Sequence, residues 1–333
     1  VCYSIFTSGS TGKAKEILAT QKCVRSFLNW NRNCSFAWSG EDRFLFASSI
    51  AFDTSLTMLL WPLMSGGSVV VHQGAFNVGK IVQSVEKDCV TALFFTPTQL
   101  NLLASLFTSR YSPVRLVISI GESLSGDILS LLRVIFSDAL LWNAYGPTET
   151  TNFVSLFEAN KERSMLYGTA IPIGKALDQA FFSLRNSGDL CIHGPQVSGA
   201  YRGVAETKKA FLYDTVRNDG MSKCYESGDV CKLLEGGDLL FVGRKDEQVK
   251  ISGRRVELGS VKSTIMECPG VVACSVVVVG SGSSVAAFVV LEANNVLVKL
   301  KKFLRQRLAL HEIPRQIVTL ERIPLTTSGK VDM

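Results

Sequence analysis

The sequence predicts an α/β fold: a large domain of mainly parallel sheets flanked by helices, a small β-rich subdomain, and a small α+β domain at the C-terminal end. Three observations predict it. Short apolar runs alternate with helical patterns through the first two thirds of the chain, which is the rhythm of βαβ units. After about residue 175 the segments shorten and Gly turns become frequent, at Gly188, Gly199, Gly203, Gly228 and Gly236-Gly237, as in antiparallel strands or a small barrel. From about Lys245 onward helices return between strands, in a smaller and basic unit.

The elements follow in order. Ser4-Ile5-Phe6 reads as a strand end. Arg43–Ser48 is a strand, and Leu56–Met64 is a mostly apolar helix stopped by Gly66-Gly67. Ser68–His72 is the next strand and Val78–Lys87 an amphipathic helix. Ala92–Phe95 and Leu116–Ile120 are apolar runs of strand length bounded by turn residues, as expected for buried parallel strands. Leu140–Trp142 precedes a Gly146-Pro147 turn. In the last unit, Leu258–Glu267 and Val296–Leu310 read as helices, and Val271–Val279 and Val285–Leu291 as strands.

Composition narrows the function classes. With 333 residues, 47% hydrophobic and 19% charged, the chain is globular and long enough for two or more domains. The net charge of +6 is spread among acidic residues, which argues against nucleic-acid binding and suits small anionic substrates. Nine scattered cysteines without a C-x-x-C pair favour reduced thiols in a cytoplasmic protein. His72, His193 and His311 lie far apart, which argues against a histidine metal site or a serine hydrolase triad. No apolar run reaches membrane-spanning length, so no membrane role is expected. Both ends, at Val1 and Met333, read as cuts from a longer protein.

Four stretches carry chemistry. The first is Tyr3-Ser-Ile-Phe-Thr-Ser-Gly-Ser-Thr-Gly-Lys-Ala-Lys15. Its glycines allow close backbone approach, its N–H groups and hydroxyls can wrap a phosphate, and its lysines supply countercharge. It lacks the spacing of the P-loop of NTPases, because Gly9 and Gly12 are too close together and Lys13 is followed by Ala14. The bland alternative is a solvated Gly/Ser turn. The second stretch, Asn143-Ala-Tyr-Gly-Pro-Thr-Glu-Thr-Thr151, offers an aromatic for a base and hard oxygens for Mg²⁺; its alternative is a loop with a buried Tyr. The third is Tyr225-Glu-Ser-Gly-Asp229 with the basic run from Phe241 to Leu258, which presents a carboxylate for ribose hydroxyls and cations for an anion, or else a turn residue and a solvated hairpin. The fourth, Ile323–Asp332, carries Lys330 after a Gly turn.

Together and in this order these stretches resemble the adenylate-forming superfamily: adenylation domains of nonribosomal peptide synthetases, acyl-CoA synthetases and luciferases. Phe52-Asp-Thr-Ser55, Gly121-Glu-Ser123, Ile173-Gly174, Gly188–Gly194, Gly199–Gly203 and Ile313-Pro314 add to the likeness, which covers essentially the whole chain. It implies a large domain over 1–244, lacking the start of its lobe, and a mobile lid domain over 245–333 with a hinge near Asp246. It implies ATP phosphate contacts by Thr7, Ser8, Gly9, Ser10, Thr11, Gly12 and Lys15, with Gly121 and Glu122 at the nucleotide. Asn143 and Tyr145 would meet adenine, Asp229 and Arg244 the ribose. Thr148 and Glu149 would contact the α-phosphate and Mg²⁺, and Lys330 both the substrate carboxylate and the α-phosphate.

The resemblance also implies a substrate. Amino-acid-activating members carry an Asp where Asp53 stands, to pair with the ammonium group; a helix N-cap is the competing role for this residue. Thr54, Thr57, Phe94, Ile118, Ile120, Ala144, Asn152 and Phe153 would line the rest of a pocket for a small to medium, weakly polar side chain. The implied partner is a phosphopantetheine-bearing carrier domain downstream. The rivals are an acyl- or aryl-CoA synthetase and a catalytically silent module. Ala14 and Glu16 in the first stretch, Glu226-Ser227 before Gly228, Ser252, and His311-Glu312 depart from the family pattern.

Overall fold

The computed structural model describes residues 1–7, 14–32, 39–74, 76–159, 170–185, 188–198, 200–202, 207, 210–214, 222–245, 248–251, 253–279, 284–293 and 295–324. Two compact units are present. The first comprises Val1–Phe6 and Glu16–Lys245, and the second holds the elements from Gln248 onward.

β1 (Tyr3–Thr7) and β2 (Lys15–Ala19), which belong to the first unit save for Thr7 and Lys15, lead into α1 (Gln21–Arg32). Next come β3 (Arg43–Phe46), α2 (Thr54–Met64), β4 (Ser68–Val71), α3 (Val78–Lys87), β5 (Ala92–Phe95), α4 (Pro97–Ala104), β6 (Leu116–Ile120), α5 (Gly126–Ile135) and β7 (Leu140–Tyr145). β8 (Ser155–Glu158) and β9 (Lys175–Ala176) complete a seven-stranded sheet of order β4-β3-β5-β6-β7-β8-β9. β3 to β7 pair in parallel, while β8 and β9 are antiparallel additions. The strand-length apolar runs are buried on both faces, β5 and β6 at every position, because helices cover both sides of a parallel sheet.

Helix starts are fixed by local chemistry. Asn77 caps α3 through Lys80 N–H, Ser125 caps α5 through Ile128 N–H, and Thr96 forms a reciprocal capping box with Gln99 ahead of Pro97 in α4. At the N-terminal ends of the strands, buried Asp42 accepts from Ser39 N–H (2.8 Å), Thr91 Oγ1 (2.9 Å) and both Nε and Nη2 of Arg115. That one carboxylate ties together the starts of β3, β5 and β6.

β10 (Phe181–Arg185), β11 (Asp189–His193), β13 (Phe211–Asp214), β14 (Ser222–Leu233) and β15 (Leu239–Arg244) form an antiparallel sheet; β12 (Ala200–Tyr201) instead joins β2, with Tyr201 opposite Ile17. The second unit has a hairpin of β16 (Gln248–Ile251) and β17 (Arg254–Glu257), then α6 (Leu258–Met266), β18 (Val271–Val279), β19 (Ser284–Leu291), α7 (Val296–Arg307) and β20 (Gln316–Thr319). β18 and β19 are antiparallel, whereas β19 and β20 are parallel across α7, a βαβ connection. Its own core gathers Val256, Val261, Ile265, Val289, Leu300 and Leu304. Among the described residues no helix is long and apolar enough to cross a membrane.

Candidate functional site

The C-terminal ends of β3, β5, β6 and β7 lie side by side, which is where open parallel sheets bind ligands. Four of the residues expected to line a pocket, Phe94, Ile118, Ile120 and Ala144, come from β5, β6 and β7. Phe94 pairs with Ile118 and Ile120 with Ala144 in the sheet register, and all four join Phe153 in one buried cluster. Phe153 is fully buried, with its ring 6.2 Å from Phe94, 5.4 Å from Trp61 and 5.1 Å from Phe27, two of these edge-on. This aromatic packing forms a buried apolar cluster.

Polar groups adjoin that cluster. Asp53 stands at the N-cap position of α2, yet its side chain makes no capping bond. Its Oδ2 accepts the backbone N–H of Asn152 at 3.2 Å. The Asn152 amide nitrogen donates to the Asp53 carbonyl (3.2 Å) and to Thr57 Oγ1. A carbonyl can only accept, so this contact fixes which end of the Asn152 amide is nitrogen. Ser48 and Thr54 hydroxyls meet at 3.3 Å beside it. Tyr3 on β1 belongs to the same neighbourhood: burial, with the Asp53 charge adding to it, pushes its phenol far above the ordinary tyrosine value.

The turn after β7 follows from these polar groups. Thr148 and Glu149 lie in a short 3₁₀ turn, Thr148–Thr150. Thr151 and Asn152 follow with φ of 58° and 73°, left-handed values that non-glycine residues seldom adopt. Gly146 is needed where the chain doubles back, because a Cβ there would stand 2.1 Å from the Asn152 carbonyl oxygen. Glu149 is fully buried and its Oε1 accepts from Tyr201 Oη at 2.6 Å. Asn143 Nδ2 donates to the Pro172 carbonyl (2.8 Å), and its buried Oδ1 has no hydrogen-bond partner among the described residues.

Asp229, on β14, gathers a second group. Its Oδ1 accepts from Arg244 Nη1 at 2.6 Å, its Oδ2 from the Tyr145 hydroxyl, and its own N–H donates to Ser227 Oγ at 3.1 Å. Tyr145 is buried, and burial, then the Asp229 charge, raises its phenol well above the usual value. Cys231, close by, is pushed up to about 12, first by burial and then by Asp229. Glu122, just past β6 and the left-handed Gly121, accepts from both Thr98 N–H (3.1 Å) and Thr98 Oγ1 (2.7 Å) at the start of α4. Thr7 ends β1 with a buried hydroxyl that has no partner among the described residues, and Lys15 opens β2. Ser8, Gly9, Ser10, Thr11, Gly12, Asp246 and Lys330 lie outside the described residues.

Some residues that depart from the family pattern have partners here. Glu16 pairs with Arg202 (3.0 Å) and Glu226 with Arg185 (2.6 Å), while Ser227 holds Asp229 in place. Sequence reading passed over Tyr3, Gln196 and Tyr201. Tyr3 and Tyr201 did stand inside quoted motif runs, but nothing local marks either as neighbour to Asp53 or Glu149.

Known proteins resemble this chain along its whole length. A family model described as AMP-binding enzyme matches residues 1–202, and one described as AMP-binding enzyme C-terminal domain matches 260–330. Malpibaldin synthetase of Mortierella alpina is 32% identical over 346 residues, covering 99% of this chain and 6% of that protein. Phenyloxazoline synthase MbtB of Mycobacterium tuberculosis (strain CDC 1551 / Oshkosh) is 32% identical over 360 residues, covering 100% of this chain and 24% of that protein. The solved structure of holo-PA1221, an NRPS protein with adenylation and PCP domains bound to a vinylsulfonamide inhibitor, superposes with a TM-score of 0.87 at 26% identity, covering 100% of this chain and 59% of that one. The chain thus spans a small part of its long curated relatives. It belongs to the AMP-binding enzyme family, among the adenylation domains of nonribosomal peptide synthetases.

Proposed function

We propose that this chain activates an amino acid with ATP and passes it to a carrier thiol. In the first step a carboxylate oxygen of the amino acid attacks the α-phosphorus. The bond from that phosphorus to the bridging oxygen breaks, pyrophosphate leaves with the electron pair, and aminoacyl-AMP remains. In the second step the phosphopantetheine thiol of a carrier domain, losing its proton, attacks the acyl carbon and AMP departs. Carrier domains enter the reading because the PA1221 protein combines adenylation and PCP domains.

The observation that carries the amino-acid reading is Asp53. It is a buried carboxylate that makes no capping bond in its own helix and is bonded to Asn152, the neighbour of Phe153 in the buried apolar cluster. There it would pair with the substrate ammonium, while Phe94 and Phe153 limit the side chain to small or medium size and Asn152 and Thr57 give it a weakly polar wall. Asn143 Oδ1 would accept from the adenine amino group. Asp229, steadied by Arg244 and Ser227, would take the ribose hydroxyls beside Tyr145. Thr148 and Glu149 would face the α-phosphate. Gly121 and Glu122 would flank the nucleotide, Thr7 to Gly12 with Lys15 would hold the phosphates, Lys330 would bridge carboxylate and α-phosphate, and Asp246 would serve as hinge.

Mg²⁺ fits the donor set. Glu149 supplies one hard carboxylate oxygen. Among the described residues no group of three or more His, Cys, Asp or Glu could hold a metal, so phosphate oxygens would complete the coordination, as is usual for Mg²⁺ with nucleotides. When bound, it neutralises phosphate charge and so favours attack by an anionic carboxylate. Positioning and charge neutralisation account for the chemistry asked of the protein.

ATP–pyrophosphate exchange by the full-length protein against a panel of amino acids, fatty acids and aryl acids tests this reading. Exchange with one or a few amino acids is expected. Exchange confined to fatty or aryl acids, with thioester formed on free CoA, would replace it with a CoA-ligase activity.

A further inference from the structure

Four hydrogen bonds tie the turn Glu149–Phe153 to Gln196, Ser198 and Tyr201. Tyr201 Oη donates to Glu149 Oε1 at 2.6 Å, and Ser198 N–H donates to the Glu149 carbonyl at 2.7 Å. Thr151 Oγ1 donates to the Gln196 carbonyl at 2.9 Å, and Gln196 Nε2 donates to the Phe153 carbonyl at 3.1 Å. All the residues involved are buried. Tyr201 is anchored in a sheet, where it pairs with Ile17.

The turn has need of such anchorage. Two consecutive non-glycine residues, Thr151 and Asn152, hold positive φ. Conformations of this kind persist where the surroundings over-determine them. The same strained pair separates Glu149 on one side from Phe153 on the other, so a shift in the turn would displace both ends of the site. A short, charge-assisted bond to one carboxylate oxygen also restricts where that oxygen can lie. The Phe153 backbone, held through its carbonyl, fixes where that ring meets the buried apolar cluster.

We infer that Gln196, Ser198 and Tyr201 form a strap with two separable positioning duties, an inference that rests on the function proposed above. Tyr201 aims the Glu149 carboxylate at the nucleotide end. Gln196 sets the Thr151–Phe153 backbone at the substrate end. Both are positioning residues acting through others.

The test uses Tyr201→Phe and Gln196→Met in the full-length protein. Each removes a donor and keeps most of the volume. Mg²⁺-dependent ATP binding is read by calorimetry, the Mg²⁺ requirement and amino-acid KM by pyrophosphate exchange, and folding by melting temperature. For Tyr201→Phe, roughly tenfold weaker Mg·ATP binding and a raised Mg²⁺ requirement are expected, as for loss of one hydrogen bond to a charged group, with amino-acid KM within about twofold. For Gln196→Met, about a fivefold rise in amino-acid KM is expected with Mg·ATP binding unchanged, as for loss of one neutral hydrogen bond. Wild-type Mg·ATP binding in Tyr201→Phe overturns the inference. So do parallel losses of every parameter in step with melting temperature. If Gln196→Met fails to fold, the Tyr201→Phe split decides alone. A wild-type protein that shows no exchange with any acid defeats the proposed function, and calorimetry of Tyr201→Phe still decides the nucleotide half of the strap.

Discussion

The Asp53 carboxylate and the Asn152 backbone N–H meet at 3.2 Å across 99 residues of chain. One is the residue before α2, the other lies in the strained turn after β7. The contact joins the acid proposed to read the substrate to the turn that carries Thr148 and Glu149. The Asp53 side chain makes no capping bond in its own helix, and its Oδ2 is engaged by Asn152 instead.

Tyr145→Phe should disturb the nucleotide end without unfolding the protein. It removes the hydroxyl that donates to Asp229 and leaves Arg244 in place. A KM for ATP raised by roughly tenfold is expected, as for loss of one hydrogen bond to a charged group, with amino-acid KM unchanged. Steady-state exchange at varied ATP checks it.

Asp42→Asn should destabilise the first unit by about 1.5–3 kcal/mol, as for hydrogen bonds to a charged group, because it weakens the link between the starts of β3, β5 and β6. Burial alone would raise the Asp42 pKa, but Arg115, Ser39 N–H and Thr91 outweigh it and hold the carboxyl below its ordinary value. A depressed carboxyl stabilises the fold above the unfolded value of about 4, and that stability is lost as pH falls through the folded value. Urea midpoints between neutral pH and acid should therefore fall for the wild type and change less for Asp42→Asn.

At alkaline pH the signs reverse. Tyr3 and Tyr145 have phenols raised above their unfolded value, so their contribution is complete below about pH 10 and is lost as pH rises toward the folded values. Phenolate absorbance from these two residues should appear together with unfolding. Full phenolate titration near pH 10 with the fold intact would contradict the buried placement of both.

Gly146→Ala should be costly, since the added Cβ would collide with the backbone of Asn152 and Phe153. A loss of more than about 3 kcal/mol is expected if the turn cannot give way, measured by denaturant unfolding.

Much of the fold is legible in local pattern. The helix Val78–Lys87 has the bounds its periodicity suggests, because Asn77 supplies a side-chain cap. The apolar runs Ala92–Phe95 and Leu116–Ile120 are strands at those bounds, being buried on both faces. α2 begins at Thr54, ahead of its first apolar residue Leu56, because Asp53 already has helical backbone angles. β7 extends to Tyr145, beyond the apolar Leu140–Trp142, because sheet register with β8 continues through Asn143 and Ala144.

What local pattern conceals is who meets whom. The tyrosine that holds Glu149 is 52 residues away, and the glutamine that holds Phe153 is 43 away. No periodicity or spacing links such pairs; they are brought together by β12 pairing with β2 while β7 turns back into β8. The choice between helix cap and pocket acid for Asp53 likewise depends on Asn152, which arrives from another part of the sheet.

The central claim is that Asp53 reads an ammonium group. Pyrophosphate exchange should be measured with the best amino acid and with the same acid lacking its amino group, for wild type and Asp53→Asn. The wild type should favour the amino acid by roughly a hundredfold, about 3 kcal/mol for a hydrogen-bonded charge pair, and Asp53→Asn should lose most of that preference. Equal rates for the two acids in the wild type, or a preference that survives in Asp53→Asn, would contradict it.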